Sequence, residues 1–163
     1  MNKKIDARFI ARAAVIAALY VVLTLVFQPI SYGSVQLRVS EALTILPLFT
    51  PAAIPGLFIG CVIANLLGRC IVMDIIFGSI ATLIGAAVGY FLRGNRWLVP
   101  IPTILSNTLI IPFVLKYGYG VDLPILLQML YILAGEVAGC FIFGEILASM
   151  LMPVKDMLFG SGE

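Results

Sequence analysis

The sequence predicts an all-α integral membrane protein built from six transmembrane helices. Of its 163 residues, 62% are hydrophobic and only 11% are charged, whereas a soluble domain carries roughly 25% charged residues. So little charge could not cover a water-facing surface, while the hydrocarbon core of a bilayer requires none. Because each helix needs about 20 apolar residues to cross that core, the chain can hold at most about six spans, and residues 1–163 form one transmembrane domain.

The apolar segments are separated by polar, proline-rich or glycine-rich stretches. The predicted spans cover residues 7–27, 39–49, 54–67, 75–92, 97–115 and 124–152, with an external loop at 28–36. The second and third spans are too short to cross about 30 Å unaided. Prolines at 47, 51 and 55 break the chain between and within these two spans, because proline lacks the N–H that a helix requires.

The distribution of basic residues predicts the orientation. With both termini in the cytoplasm, seven basic residues face the cytoplasm and three face outside. This asymmetry follows the positive-inside rule. The cytoplasmic residues are Lys3, Lys4, Arg8, Arg12, Arg93, Arg96 and Lys155, and the outer ones are Arg38, Arg69 and Lys116.

Small residues recur at every fourth position in three spans, which lets helix backbones approach closely. The fourth span carries Ala81, Gly85 and Gly89. The third span carries Gly56, Gly60, Ala64 and Gly68, a groove for a neighbouring helix. The first span carries two such pairs on adjacent faces, Ala13/Ala17 and Ala14/Ala18. These alanines are either an internal packing surface or a docking face for another membrane protein, and their spacing leaves both open.

Ionisable residues inside predicted spans are the first candidates for a binding site. Each costs about 2.5–3.5 kcal/mol at a helix centre, so such residues indicate function by default. Arg38 and Glu41 are three residues apart, which suits either a self-contained ion pair or a clamp for a polar ligand. Glu136 lies near mid-membrane between two glycines and favours a functional role, whereas Glu145 is expected to snorkel or to meet Lys155.

Other polar and aromatic residues complete the candidate site. Asn65 and Asn107 lie within spans, where a buried amide can tie helices together or read a heterocycle. Asp74 stands in the first turn of the fourth span, as a helix cap or a ligand acceptor. Tyr131 lies at a depth where its ring could stack on a flat ligand or simply fill the bundle.

Composition excludes several other function classes. Histidine is absent, which removes the commonest metal ligand and the usual general base. The three cysteines fit no zinc or disulfide pattern and are expected to be small core residues. There is no basic run with aromatic residues for nucleic acid and no nucleotide-binding loop. We therefore predict no catalytic residue, metal site or cofactor in this chain, and an energy source that is a partner or an ion gradient.

Two long stretches carry a family resemblance. LRVSEALTILPLFTPAAIPGLFIGCVIANLLG (37–68), DIIFGSIATLIGAAVGYFLR (74–93) and the late Gly135-Glu136 pair closely resemble the queuosine-precursor S components (QueT type) of energy-coupling factor vitamin transporters. The resemblance implies a six-helix S-component bundle in the cell membrane with an outward-facing solute site, roofed by the loop after the first span. It also implies a membrane scaffold protein and two cytoplasmic ATPases as partners. An AxxxA pattern on the first helix of such proteins contacts the scaffold, and both alanine pairs match it.

The ligand implied by the resemblance is a 7-deazaguanine such as queuine or its aminomethyl or cyano precursors. Its guanine-like edge presents an N–H and an amine side by side, which suit one carboxylate, and its carbonyl needs a donor. The site residues expected to supply these contacts are Arg38, Glu41, Asn65, Asp74, Asn107, Tyr131 and Glu136. The alternatives are an autonomous ion- or proton-coupled carrier using Glu136 and Glu145 as a relay, and, with little support, a membrane enzyme.

Overall fold

The computed structural model describes residues 6–31 and 37–160, and within these ranges every regular element is helical. The elements in chain order are α1 (Ala7–Val26), α2 (Gln28–Ser31), a 3₁₀ helix (Val39–Leu48), α3 (Ala53–Leu67), α4 (Val72–Phe91), a 3₁₀ turn (Arg96–Leu98), α5 (Ile101–Gly118), α6 (Ile125–Glu136), a π-helix (Val137–Phe143), α7 (Gly144–Leu151), a 3₁₀ turn (Met152–Val154) and α8 (Lys155–Phe159).

Four helical segments are long and apolar enough to cross a membrane, as expected of a multi-pass membrane protein. They are Ala7–Val26, Val72–Phe91, Arg96–Gly118 and Ile125–Phe159. The two shorter apolar helices, Val39–Leu48 and Ala53–Leu67, correspond to the second and third predicted spans. The all-helical class and the shortness of these two helices are confirmed.

The 3₁₀ helix is the most enclosed element of the bundle. All residues from 40 to 47 are buried, and the helix packs against α1, α3, α4, the π-helix and α7. Two local features oppose an ordinary α-helix here. Pro47 has no N–H to donate, and the Thr44 hydroxyl donates to the Glu41 carbonyl at 2.6 Å, competing for a backbone acceptor.

Glycines set how closely α3 approaches α1. A Cβ atom on Gly56 would lie 2.8 Å from the Ala13 carbonyl oxygen, and one on Gly60 would lie 2.8 Å from Tyr20 Cβ and 3.0 Å from the Ala17 carbonyl oxygen. Real Cβ atoms are not found this close to such neighbours. The groove predicted on the third span is therefore filled by α1 of the same chain.

This packing bears on the predicted docking face. Ala17 is buried, Ala13 is partly buried, and both border the glycines of α3, so this pair packs inside the bundle. Ala14 and Ala18 lie on the adjacent face and are exposed. They keep the docking role as a prediction.

The last long helical segment changes its winding halfway. Its α-helical start ends at Glu136, and seven residues of π-helix follow before α7 begins at Gly144. The wider turn brings Gly139 against the start of the 3₁₀ helix, where an added Cβ would lie 2.9 Å from the Arg38 carbonyl oxygen. π-Helical segments are rare and often occur at functional sites.

Both ends of the described chain lie at one end of the bundle. Arg12 near the start of α1 and Phe159 in α8 line the same apolar groove of about 390 Å³, and the Phe159 ring stacks on Phe49 with centroids 5.3 Å apart. At the opposite end, the predicted loop 28–36 begins with the helical turn α2, and its residues 32–36 lie outside the described residues.

We expect Ala17→Trp to destabilise the isolated protein, because Ala17 is buried against Gly60 and has no room for an indole. Overpacking of this kind costs typically about 1–3 kcal/mol. Thermal unfolding in detergent would measure the loss. Ala18→Trp is the matched control one residue along the same helix, where the side chain is exposed, and equal stability of the two variants would contradict the assigned α1–α3 packing.

Candidate functional site

Six of the seven predicted site residues lie inside the bundle. Each of the six is no more than 5% exposed: Arg38, Glu41, Asn65, Asp74, Asn107 and Glu136. Tyr131 is 38% exposed, so its ring lies at the surface of the bundle and not among the buried groups. Its stacking role stays a prediction.

The first group of site residues surrounds Glu41 in the first turn of the 3₁₀ helix. The Tyr20 hydroxyl of α1 donates to Glu41 Oε1 at 2.5 Å, and both side chains are essentially inaccessible to solvent. Tyr20 is itself tied to the 3₁₀ helix, because Thr24 donates to the Tyr20 carbonyl oxygen at 2.8 Å and contacts the Ser40 hydroxyl at 2.7 Å. The Glu41 carboxylate is thus oriented by α1.

Glu136 faces the same place from the other side of the bundle. The Cys140 thiol, one turn further along, lies 3.1 Å from Glu136 Oε2 and 3.9 Å from Glu41 Oε2. Asn107 of α5 is close enough to Glu136 to interact with its carboxylate. The nearest oxygen and sulfur atoms of Glu41, Glu136 and Cys140 all lie within 4.8 Å of one another. Such a set of acceptors suits the N–H donors of a polar ligand or a cation.

The second group lies around Asp74 in the first turn of α4. Tyr119, just beyond α5, donates its hydroxyl to Asp74 Oδ2 at 3.0 Å. The Asn65 amide of α3 donates to the Asp74 carbonyl oxygen at 3.4 Å. Asp74, Asn65 and Tyr119 thereby join the ends of α3, α4 and α5 at one mouth of the bundle.

Cys61 extends the Asp74 group along α3 and α4, and Arg38 links the two groups electrostatically. The Cys61 sulfur accepts from the Asn65 amide at 3.6 Å and from the Thr82 hydroxyl at 3.5 Å. Arg38 is within electrostatic range of both Asp74 and Glu41. The predicted residues therefore belong to one polar interior, although Arg38, counted above among the outer loop charges, is in fact buried.

Glu145 lies apart from this interior, near the end of the bundle that holds the chain ends. Arg96 approaches Glu145 Oε2 to 2.7 Å through its terminal nitrogen and to 2.8 Å through Nε. The expected partner Lys155 is therefore corrected to Arg96, which the turn before α5 brings next to α7. The expectation that Glu145 is structural agrees with this pairing.

Sequence reasoning missed three members of the site. Cys140 was expected to be a small core residue, yet its spacing of four from Glu136 places both on one helix face. Tyr20 falls on the buried stripe of α1 with Ile16 and Thr24, but nothing in the sequence pairs it with Glu41. Tyr119 lies in a loop, where no periodic pattern exists to reveal its contact with Asp74.

Comparison with known protein families gives a match for this chain. The family model of the QueT transporter matches residues 10–153, which is nearly all of the helical bundle. The chain belongs to the QueT transporter family. The resemblance to queuosine-precursor transporters seen in the sequence is thereby confirmed.

A curated relative agrees with the QueT assignment. The queuosine precursor transporter QueT of Lactococcus lactis subsp. cremoris (strain MG1363) is 40% identical over 92 residues, which are 55% of this chain and 54% of the relative. The match thus spans about half the length of that protein. Both the family and this relative are described as transporters. No solved structure matches the chain significantly.

We expect Tyr20→Phe to lower the free energy of unfolding by about 1.5–3 kcal/mol, the usual worth of a hydrogen bond to a charged group. The substitution keeps the buried ring and removes only the donor to Glu41. Tyr117→Phe is the control, because Tyr117 is 68% exposed. Chemical or thermal denaturation of both variants would decide, and unchanged stability of Tyr20→Phe would show that Glu41 does not depend on this bond.

Proposed function

We propose that this protein is the membrane-embedded substrate-binding subunit, or S component, of an energy-coupling factor importer, and that it captures a queuosine precursor at its outer face. The observation that carries the proposal is the pairing of Glu41 and Glu136 around Cys140 in the interior of a QueT-family bundle. Two carboxylates buried next to each other cost free energy unless a ligand with several donors binds them or one of them is protonated. A ligand with adjacent N–H groups resolves that cost.

The chemistry of a 7-deazaguanine fits these groups. Its N–H and exocyclic amine point in one direction and match the two oxygens of one carboxylate, Glu136 or Glu41. Its carbonyl oxygen needs a donor, which the amides of Asn107 and Asn65 or the guanidinium of Arg38 can supply. Because all five side chains are buried, each contact forms away from bulk water and contributes strongly to affinity.

The proposed orientation puts the Asp74 mouth outside and both termini in the cytoplasm. The chain ends and the Arg96–Glu145 pair lie at the opposite end of the bundle from Asp74. Arg93 and Arg96, in the turn that follows α4, also lie at that end. Basic residues concentrate on the cytoplasmic side of membrane proteins, which supports this orientation.

The proposed partners are a transmembrane scaffold protein and two ATPases that supply the energy. The sequence contains no nucleotide-binding loop, so ATP would be hydrolysed by the partners. The exposed Ala14 and Ala18 on α1 are the surface proposed to meet the scaffold, since small residues let a partner helix approach closely. An autonomous carrier relaying protons from Glu136 to Glu145 is less well supported, because Glu145 is paired with Arg96.

We expect Glu136→Gln and Glu41→Gln to weaken binding of queuine and its precursors. Removing one partner from a buried charged hydrogen bond costs about 2–5 kcal/mol, or roughly 30-fold to several thousand-fold in affinity. The glutamine replaces an acceptor oxygen with a donor and so opposes the amine edge. Isothermal titration calorimetry of the purified protein would measure this.

Glu145→Gln is the matched control for these carboxylates. It breaks the pair with Arg96 at the other end of the bundle, so it should reduce stability and leave ligand affinity within about twofold of wild type. Wild-type affinity in both Glu41→Gln and Glu136→Gln would show that these carboxylates are structural.

A second prediction concerns coupling to the ATPases. In proteoliposomes that contain the scaffold and the ATPases, we expect uptake of the precursor to require ATP on the side of the membrane where the ATPases lie. Uptake should continue in the presence of a protonophore. The double variant Ala14→Trp/Ala18→Trp should bind the ligand normally and fail to transport it, because both positions are exposed on α1. Ile84→Trp, an exposed position on α4, is the control. Uptake without the ATPases that a protonophore abolishes would favour the autonomous carrier.

A further inference from the structure

Asp74 is a buried carboxylate whose two oxygens have different surroundings. Its side chain is 2% exposed. Oδ2 accepts a hydrogen bond from the Tyr119 hydroxyl at 3.0 Å, whereas Oδ1 has no hydrogen-bond partner among the described residues. Since a buried acceptor without a donor is costly, Oδ1 is the atom of this group that a ligand would satisfy.

Tyr119 is held in place by a second contact. Its hydroxyl oxygen accepts from the Ile71 N–H at 3.3 Å, which ties the loop after α5 to the residue that precedes α4. Burial, and then the negative charge of Asp74, raise the pKa of Tyr119 well above its ordinary value. The hydroxyl therefore keeps its proton, and that single proton is directed at Asp74 Oδ2.

Gly78, one turn beyond Asp74 on α4, places no side chain beside Oδ1. A Cβ added to Gly78 would lie 3.1 Å from Asp74 Oδ1 and 3.4 Å from Asn65 Nδ2. The carboxylate oxygen and the amide nitrogen thus border one space that a glycine keeps free of a side chain. An acceptor oxygen that lacks a donor suits an N–H on the edge of a flat heterocycle.

We propose that Tyr119 is a positioning residue of the ligand site: it holds Asp74 Oδ2 so that Oδ1 can accept an N–H from the bound base in the space beside Gly78. This inference rests on the proposed binding function. It adds a second point of contact with the ligand, distinct from the Glu41–Glu136 pair. Tyr119 does not contact the ligand itself. It orients Asp74, and Asp74 Oδ1 accepts the hydrogen bond from the N–H of the ligand.

A double-mutant cycle tests this role by calorimetric titration with queuine and its aminomethyl and cyano precursors. Tyr119→Phe keeps the ring and removes the hydroxyl, and for the precursor that binds wild type most tightly we expect about tenfold weaker binding. In the Asp74→Asn background the same change should cause no further loss, because Tyr119 has no carboxylate to position. A merely structural role for Tyr119 would instead give losses that multiply, and that result would overturn the proposal.

Gly78→Ala is a second, independent variant that stays informative should Tyr119→Phe fold poorly. Its methyl group would enter the space beside Asp74 Oδ1, and we expect at least tenfold weaker binding with a melting temperature close to that of wild type. Gly94→Ala is the matched control, because a Cβ there meets nothing within 4 Å. Wild-type affinity of Gly78→Ala would also overturn the proposal.

The outcomes separate this inference from the proposed function. Absence of binding of every precursor to the wild-type protein would refute the binding function itself. Binding that is weakened by Glu136→Gln but unaffected by Tyr119→Phe and Gly78→Ala would leave the function standing and refute only the role of Tyr119.

Discussion

The hydrogen bond from Tyr20 to Glu41 is the contact around which the interior is arranged. Glu41 lies in an apolar chain where neither lipid nor water can satisfy a carboxylate, so the protein must supply its donors. Tyr20 does so from α1 at 2.5 Å. For that hydroxyl to reach Glu41, α1 must lie directly against the 3₁₀ helix.

Close helix packing makes that arrangement possible. Gly60 lets the Tyr20 side chain pass within contact distance of α3, and Gly139 lets the π-helix lie against the Arg38 carbonyl oxygen. The first approach places the tyrosine, and the second brings Glu136 and Cys140 to Glu41. In a bilayer, where no hydrophobic effect drives helices together, such van der Waals contact supplies much of the association energy. The glycines therefore shape the polar site without contributing a polar atom.

The two ends of the bundle serve different purposes. At the Asp74 mouth, polar side chains from α3, α4 and the loop after α5 converge. At the other end, Arg96 and Glu145 neutralise each other, and apolar side chains of α1, the 3₁₀ helix and α7 line a groove. One end thus gathers hydrogen-bonding groups, and the other presents an apolar surface.

Composition and spacing were enough to determine the all-helical membrane class and the two short helices. Of the seven candidate site residues that they predicted, six are buried in the bundle, and their role in binding stays a prediction. Charge in an apolar segment and glycine at every fourth position are properties of the chain itself, so they can be read without coordinates. Only the tertiary structure decided which alanine pair faces inward, that Glu145 meets Arg96, and that Tyr20, Cys140 and Tyr119 join the site. These contacts link positions as far apart in the chain as 41 and 140 or 74 and 119. The rotation of one helix against another sets them, and no local pattern encodes that rotation.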